Sequence, residues 1–121
     1  MRDNKKDKAR LELILEAIDN INEYLIGVTG LEEFGSSKIL CHAVLYNLRC
    51  IGECANKLSR PFVESHKEAD WEGMEGLRHV LVNDYYNTKI ETVWTIVTHD
   101  LLPLKEKINT ILASLFPDSR R

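Results

Sequence analysis

Apolar residues recur along this chain at alternating spacings of three and four, and nowhere at a spacing of two over a useful length. Leu11, Ile14, Ile18, Ile21, Leu25 and Val28 fall on one face of a long helix. Gly27 and Gly30 mark its end, because glycine tolerates the backbone conformations found there. Leu31 and Phe34 predict a short helical turn. Ser36 or Ser37 is placed to cap the next helix, with a hydroxyl accepting a free first-turn amide. That helix carries Leu40, Val44, Leu48, Ile51, Ala55 and Leu58. Asn47 falls on the same stripe. Buried unpaired, its amide costs about 1–3 kcal/mol, so it is either a core amide bonded to another helix or a group lining a site or seam.

Arg60-Pro61 is predicted to end this helix, since the residue before proline is pushed out of the helical region. Residues 61–69 read as a connector with a helical turn. Asp70 is the predicted cap of a helix carrying Met74, Leu77, Leu81 and Tyr85, which Asn87-Thr88 breaks. Thr88 and Glu91 form a capping box for the last helix. Its stripe is Ile90, Trp94, Val97, Leu101, Leu104, Ile108, Ile111 and Leu115, and Pro103 should bend it. The fold expected is all-α: one domain over residues 1–121, an antiparallel bundle of four main helices plus short helical turns. Several long stripes in 121 residues exceed what one small core hides, which predicts a homodimer.

A net charge of −3 excludes a general polyanion binder. Contact with nucleic acid must come from a local patch. Cys41, Cys50 and Cys54 are odd in number and follow no secretory segment, which predicts reduced, buried thiols in the cytoplasm. Cys50, Cys54 and nearby His42 lack the paired spacing of a structural zinc site. No metal and no cofactor is expected. The charged start, Met1 to Lys6, leads into no apolar segment and reads as a solvated helix entry. No apolar run reaches membrane-spanning length.

The stretch Gly76 to Asn87 crowds unusual chemistry onto the end of an apolar helical pattern: Arg78, His79, Asn83, Asp84, Tyr85 and Tyr86. Arg78 and Tyr85 are seven apart, nearly on one helical face, and His79 and Asn83 are four apart. Arginine offers a planar fork for phosphate oxygens and the charge that grows on them. Histidine exchanges protons near neutral pH. RNA brings its own nucleophile, the 2′-hydroxyl, so the pair suits phosphodiester cleavage without a metal. The plain alternative is that Arg78 pairs with a carboxylate such as Glu75 or Asp84 and His79 is a surface ring.

Four segments, in order, carry a resemblance: Asn47 to Ala55, Gly76 to Tyr85, Ile90 to Trp94, and Asp100 to Lys105. Together they resemble the HepT-like branch of the HEPN superfamily over roughly residues 8–115. The resemblance implies a HEPN-like helical homodimer with a composite cleft and metal-independent RNA cleavage. It also implies a partner of the MntA-like nucleotidyltransferase type, an antitoxin that silences the toxin by attaching AMP to a motif tyrosine. Carried over, the catalytic arginine is Arg78 and the modified tyrosine is Tyr85. Asp84, Tyr86, Asn47 and Glu53 are expected to line the site. RNA is the implied substrate, with no DNA and no membrane expected. The motif histidine is replaced by Asn83, whose amide hydrogen-bonds but carries no proton at neutral pH. Three readings follow: a weakened or inactive nuclease, a nuclease in which His79 supplies the titrating group, or a non-catalytic dimeric module that binds the nucleotidyltransferase.

Overall fold

The computed structural model describes residues 2–80 and 90–116, and every regular element among them is helical. Helix α1 spans Arg2–Tyr24. Its stripe is sealed as expected, with Leu11, Ile14, Ile18 and Ile21 fully buried. The helix stops short of the stripe's last two residues. Gly27 takes φ = +85°, a left-handed conformation that glycine adopts without steric cost. The chain therefore turns, and Leu25 and Val28 reach the core from the turn.

Helix α2 (Leu31–Gly35) is short and pinned by Phe34, which is fully buried. Its entry is fixed by Glu33, whose Oε1 accepts from Thr29 N at 3.0 Å and Thr29 Oγ1 at 2.9 Å. Helix α3 (Lys38–Asn56) is capped by Ser37, whose hydroxyl accepts from Leu40 N at 3.1 Å. Cys41, Val44, Leu48, Ile51 and Ala55 point into the core.

The end of α3 corrects the sequence expectation. It falls at Asn56, and Arg60-Pro61 opens a new short helix, α4 (Arg60–Ser65), capped by Ser59. Proline lacks an N–H and has a preset φ, which suits the first helical turn as well as it forbids the interior. Asp7 secures this junction: its carboxylate, 2% exposed, accepts from Ser59 N at 2.8 Å and Ser59 Oγ at 2.6 Å. Trp71 then closes over it, donating from Nε1 to His66 O at 2.5 Å and meeting Phe62 edge-on at 5.6 Å.

Helix α5 (Trp71–Val80) begins at the predicted cap, where Asp70 Oδ1 accepts from Gly73 N at 3.0 Å. The last stripe is built from α6 (Ile90–Thr95), a π-helical turn (Ile96–Asp100) and α7 (Leu101–Leu115). Pro103 thus falls in the first turn of α7, directly after the π turn, and removes one N–H from the ladder at that junction. The predicted bend is expressed as a widened π turn, which shifts the face by about one residue. Val93 and Leu112 join the buried set, while Leu115 is 41% exposed.

Helix α3 is central, packed on α1 along one side and α5 along the other. It runs antiparallel to α1, since Asp7 meets Ser59 while Asn20 meets Asn47. Helix α7 lies against α1, where Lys105 Nζ bonds Asp19 Oδ1 at 2.8 Å. Phe34 stacks at 5.3 Å on Trp94, tying α2 to α6. Among the described residues no helix is long and apolar enough to cross a membrane.

Candidate functional site

Arg78 is placed by the contact between α3 and α5. The two backbones approach closely at Gly52, where even a methyl group would collide with the backbone of Arg78. The arginine side chain is half-buried. Its Nε is sealed from solvent and has no hydrogen-bond partner among the described residues. Native structures leave few buried donors unpaired, and each costs about 1–3 kcal/mol. With Nε shielded, the planar guanidinium can meet a ligand only through its outer nitrogens, and their geometry suits phosphate oxygens.

Among the described residues no carboxylate, Glu75 included, forms an ion pair with Arg78; Asp84, the other partner of the plain reading, lies outside them. Glu53, next to Gly52 on α3, instead faces Arg49 at 3.9 Å, with both side chains about half exposed. Such a pair holds its members weakly. His79 follows Arg78 on α5 but is exposed, about 100° further round the helix. Asn47 is turned the other way. Its Oδ1 accepts from Asn20 on α1 at 3.2 Å and its Nδ2 donates to Ala43 O at 2.9 Å. The amide is therefore satisfied in the α1–α3 seam, as the core reading required. Asn83, Asp84, Tyr85 and Tyr86 lie outside the described residues, as do Leu81 and the Asn87-Thr88 break with its capping box.

The thiols divide. Cys41 is buried and donates to Phe34 O at 3.3 Å, whereas Cys50 and Cys54 are only half-buried, which corrects the expectation that all three are sealed. Burial, then the neighbouring Cys50, pushes the Cys54 thiol above its ordinary pKa. The Tyr46 phenol is likewise raised, first by its hydrogen bond to Cys50. Tyr46 is 66% exposed and Ile39 85%, so the outer face of α3 carries apolar surface.

Two features escaped the sequence reading. One is Gly52. Its signal was a glycine inside an otherwise strong helix, where it costs about 1 kcal/mol against alanine and so implies a packing reason. The other is a groove of about 410 Å³ between α5, the π turn and the start of α7, lined by Met74, Leu77 and Leu104 together with Asp70, His99 and Lys107. Nothing in the periodicity announced it, because it is formed where separate segments meet.

The fold defines a class: small proteins built as a bundle of α-helices. Within it, this chain belongs to the HepT-like ribonuclease family, whose model matches residues 14–111. It is 33% identical over 112 residues to a Methanocaldococcus jannaschii protein named "Gamma-glutamylcyclotransferase and putative RNase", covering 92% of this chain and 50% of that protein. It is 29% identical over 109 residues to a second protein of that organism, named "Putative RNase", covering 89% of this chain and 99% of the relative. It is 30% identical over 107 residues to the "Probable ribonuclease HepT" of Thermococcus cleftensis, covering 88% and 96%. The chain thus spans half the length of the first of these relatives and nearly all of the other two. No solved structure matches the chain.

Proposed function

We propose that this chain is a single-domain, homodimeric RNA-binding protein of the HepT toxin type, a metal-independent endonuclease attenuated by Asn83. The observation that carries the reading is Arg78: a half-buried guanidinium with a sealed, unpartnered Nε, held against α3. In the reaction a 2′-oxygen bonds to phosphorus as its proton leaves, and the P–O5′ bond breaks as the leaving oxygen gains a proton. Arg78 holds the phosphate oxygens and the charge that builds on them. A residue at position 83 that titrates would move the protons. Asparagine cannot, and loss of such a group costs about 10²–10⁴ in rate.

The test is substitution at both positions. Asn83→His raises RNA cleavage by about 10²-fold or more, and Arg78→Ala abolishes the gain. If Asn83→His leaves cleavage at background while RNA still binds, the nuclease reading fails. His79 is tested separately: equal, measurable cleavage by His79→Ala and the unaltered chain removes it from the mechanism. Regulation falls on Tyr85, where a partner nucleotidyltransferase attaches AMP and sets a phosphate beside Arg78. Intact mass after incubation with that transferase and ATP reads the addition, which Tyr85→Phe abolishes and Tyr86→Phe does not.

A second reading, a non-catalytic dimeric module that binds the nucleotidyltransferase, is favoured by the exposed Ile39, Tyr46 and Leu13. Unlike the first, it expects no cleavage after Asn83→His and no salt-sensitive affinity for RNA.

A further inference from the structure

Helices α3 and α5 meet at Gly52 without an intervening side chain. A Cβ there would lie 2.5 Å from Arg78 N, 3.0 Å from Arg78 Cβ and 3.1 Å from Arg78 Cα. The places of these three atoms are set by the backbone of α5, so no change of rotamer relieves the collision. Ordinary contact begins at 3.4 Å, so at its nearest point α5 would have to withdraw by about 0.9 Å.

The other glycines frame this. At Gly35 an added Cβ would meet only the end of the Ile90 side chain, at 3.3 Å, which can yield. At Gly76, two residues before Arg78 on α5 itself, it would meet nothing within 4 Å. The one glycine whose replacement must displace α5 at Arg78 is therefore on a different helix, and the residue it displaces is the one with the sealed, unpartnered Nε.

We propose that Gly52 is a positioning residue: its missing side chain lets α5 seat on α3 so that Arg78 is anchored with its Nε shielded from water and its outer guanidinium nitrogens set to take a phosphate oxygen. The inference rests on the reading of Arg78 as the phosphate-binding group. A misplacement near 1 Å at a reacting group costs up to about 100-fold. Gly52→Ala therefore acts on the site from a distance, through the backbone of α5.

The experiment uses the full chain with Gly52→Ala, Gly76→Ala, Arg78→Ala and the double variant Gly52→Ala/Arg78→Ala. Two quantities are read. One is the Arg78 Nε–H resonance, assigned as the signal lost in Arg78→Ala, with its rate of exchange with water. The other is affinity for a single-stranded RNA oligonucleotide across a salt series. Gly52→Ala is expected to shift that resonance and speed its exchange. It is also expected to lower the salt slope by about 0.7, the weight of one phosphate contact on a single strand. The double variant should bind RNA no more weakly than Arg78→Ala alone, because Gly52 acts only through Arg78. Gly76→Ala should match the unaltered chain in both readouts.

A protected, unshifted Nε–H in Gly52→Ala overturns the proposal, and so does a loss of affinity that adds to that of Arg78→Ala. If Arg78→Ala itself leaves RNA affinity unchanged, the functional reading falls, and the Nε–H resonance alone decides the role of Gly52. Should Gly52→Ala not fold, it is rebuilt in the Gly76→Ala background, which favours helix formation. A chain that still fails to fold would assign Gly52 to the bundle rather than to Arg78, and overturn the proposal.

Discussion

Replacing Asp7 by alanine tests the junction that fixes the α3–α4 link to the first turns of α1. The carboxylate is 2% exposed and spends both oxygens on Ser59, at 2.8 Å from its N and 2.6 Å from its Oγ. A hydrogen bond to a charged group contributes roughly 1.5–3 kcal/mol, and a donor left without its acceptor costs about 1–3 kcal/mol. These overlap, and alanine also removes the carboxylate's own desolvation penalty. The net loss expected is about 2–3 kcal/mol, a large share of a total near 5–15 kcal/mol. For a domain of this size that is a fall in Tm of roughly 10 °C or more. Asp7→Asn keeps one oxygen for Ser59 N and should lose about half as much. Ser59→Ala, which retains the backbone bond, should fall in the same lesser range. Urea unfolding with m unchanged gives the differences directly. An Asp7→Ala chain within about 0.5 kcal/mol of the unaltered protein, the range of neutral surface changes, would refute the reasoning.

Other outcomes follow from single contacts. Asn47→Ala strands the Asn20 amide in the α1–α3 seam and should cost about 1–2 kcal/mol, read by the same unfolding curves; no change would mean the pair is not formed in solution. Glu33 accepts from the Thr29 N–H and hydroxyl, which holds its carboxyl below its usual pKa of 4.5. Its contribution is therefore complete above the unfolded pKa and is lost as pH falls through the lower folded one. A carboxyl NMR titration should show a low midpoint for Glu33 that returns only partway in Thr29→Ala, which keeps the backbone N–H; titration at the ordinary value in the intact chain would count against these hydrogen bonds. Cys41 should resist alkylation until the protein unfolds. Cys54, its thiol pKa raised by burial and by Cys50, should react slowly at neutral pH and faster as pH rises. Equal rates for Cys41 and Cys54 would contradict the burial pattern.

Much of the fold could be read from local pattern. The 3–4 spacing placed α1, α3 and the long last stripe, and Ser37 and Asp70 cap where their side chains suggested. These succeeded because periodicity and capping are properties of a single segment. Failures came where two local rules competed. Pro61 obeys both "end a helix" and "begin one", and Asp7, distant in sequence, decides for the second by anchoring Ser59. Pro103 predicted a bend, and the chain shows a π turn at Ile96–Asp100 just before it, which the spacing of apolar residues does not distinguish from a simple kink. Asn47 carried two readings, and the choice fell to Asn20, a residue on another helix.

The residue types themselves determined the class of fold and drew attention to Arg78, since amphipathic spacing and side-chain chemistry are written along the chain. Only the folded arrangement decided what surrounds that arginine. Contact between α3 and α5 is a long-range event, and the room for it comes from an atom Gly52 does not have. A missing side chain leaves no mark in a hydrophobic pattern; its meaning appears only when a second backbone occupies the space.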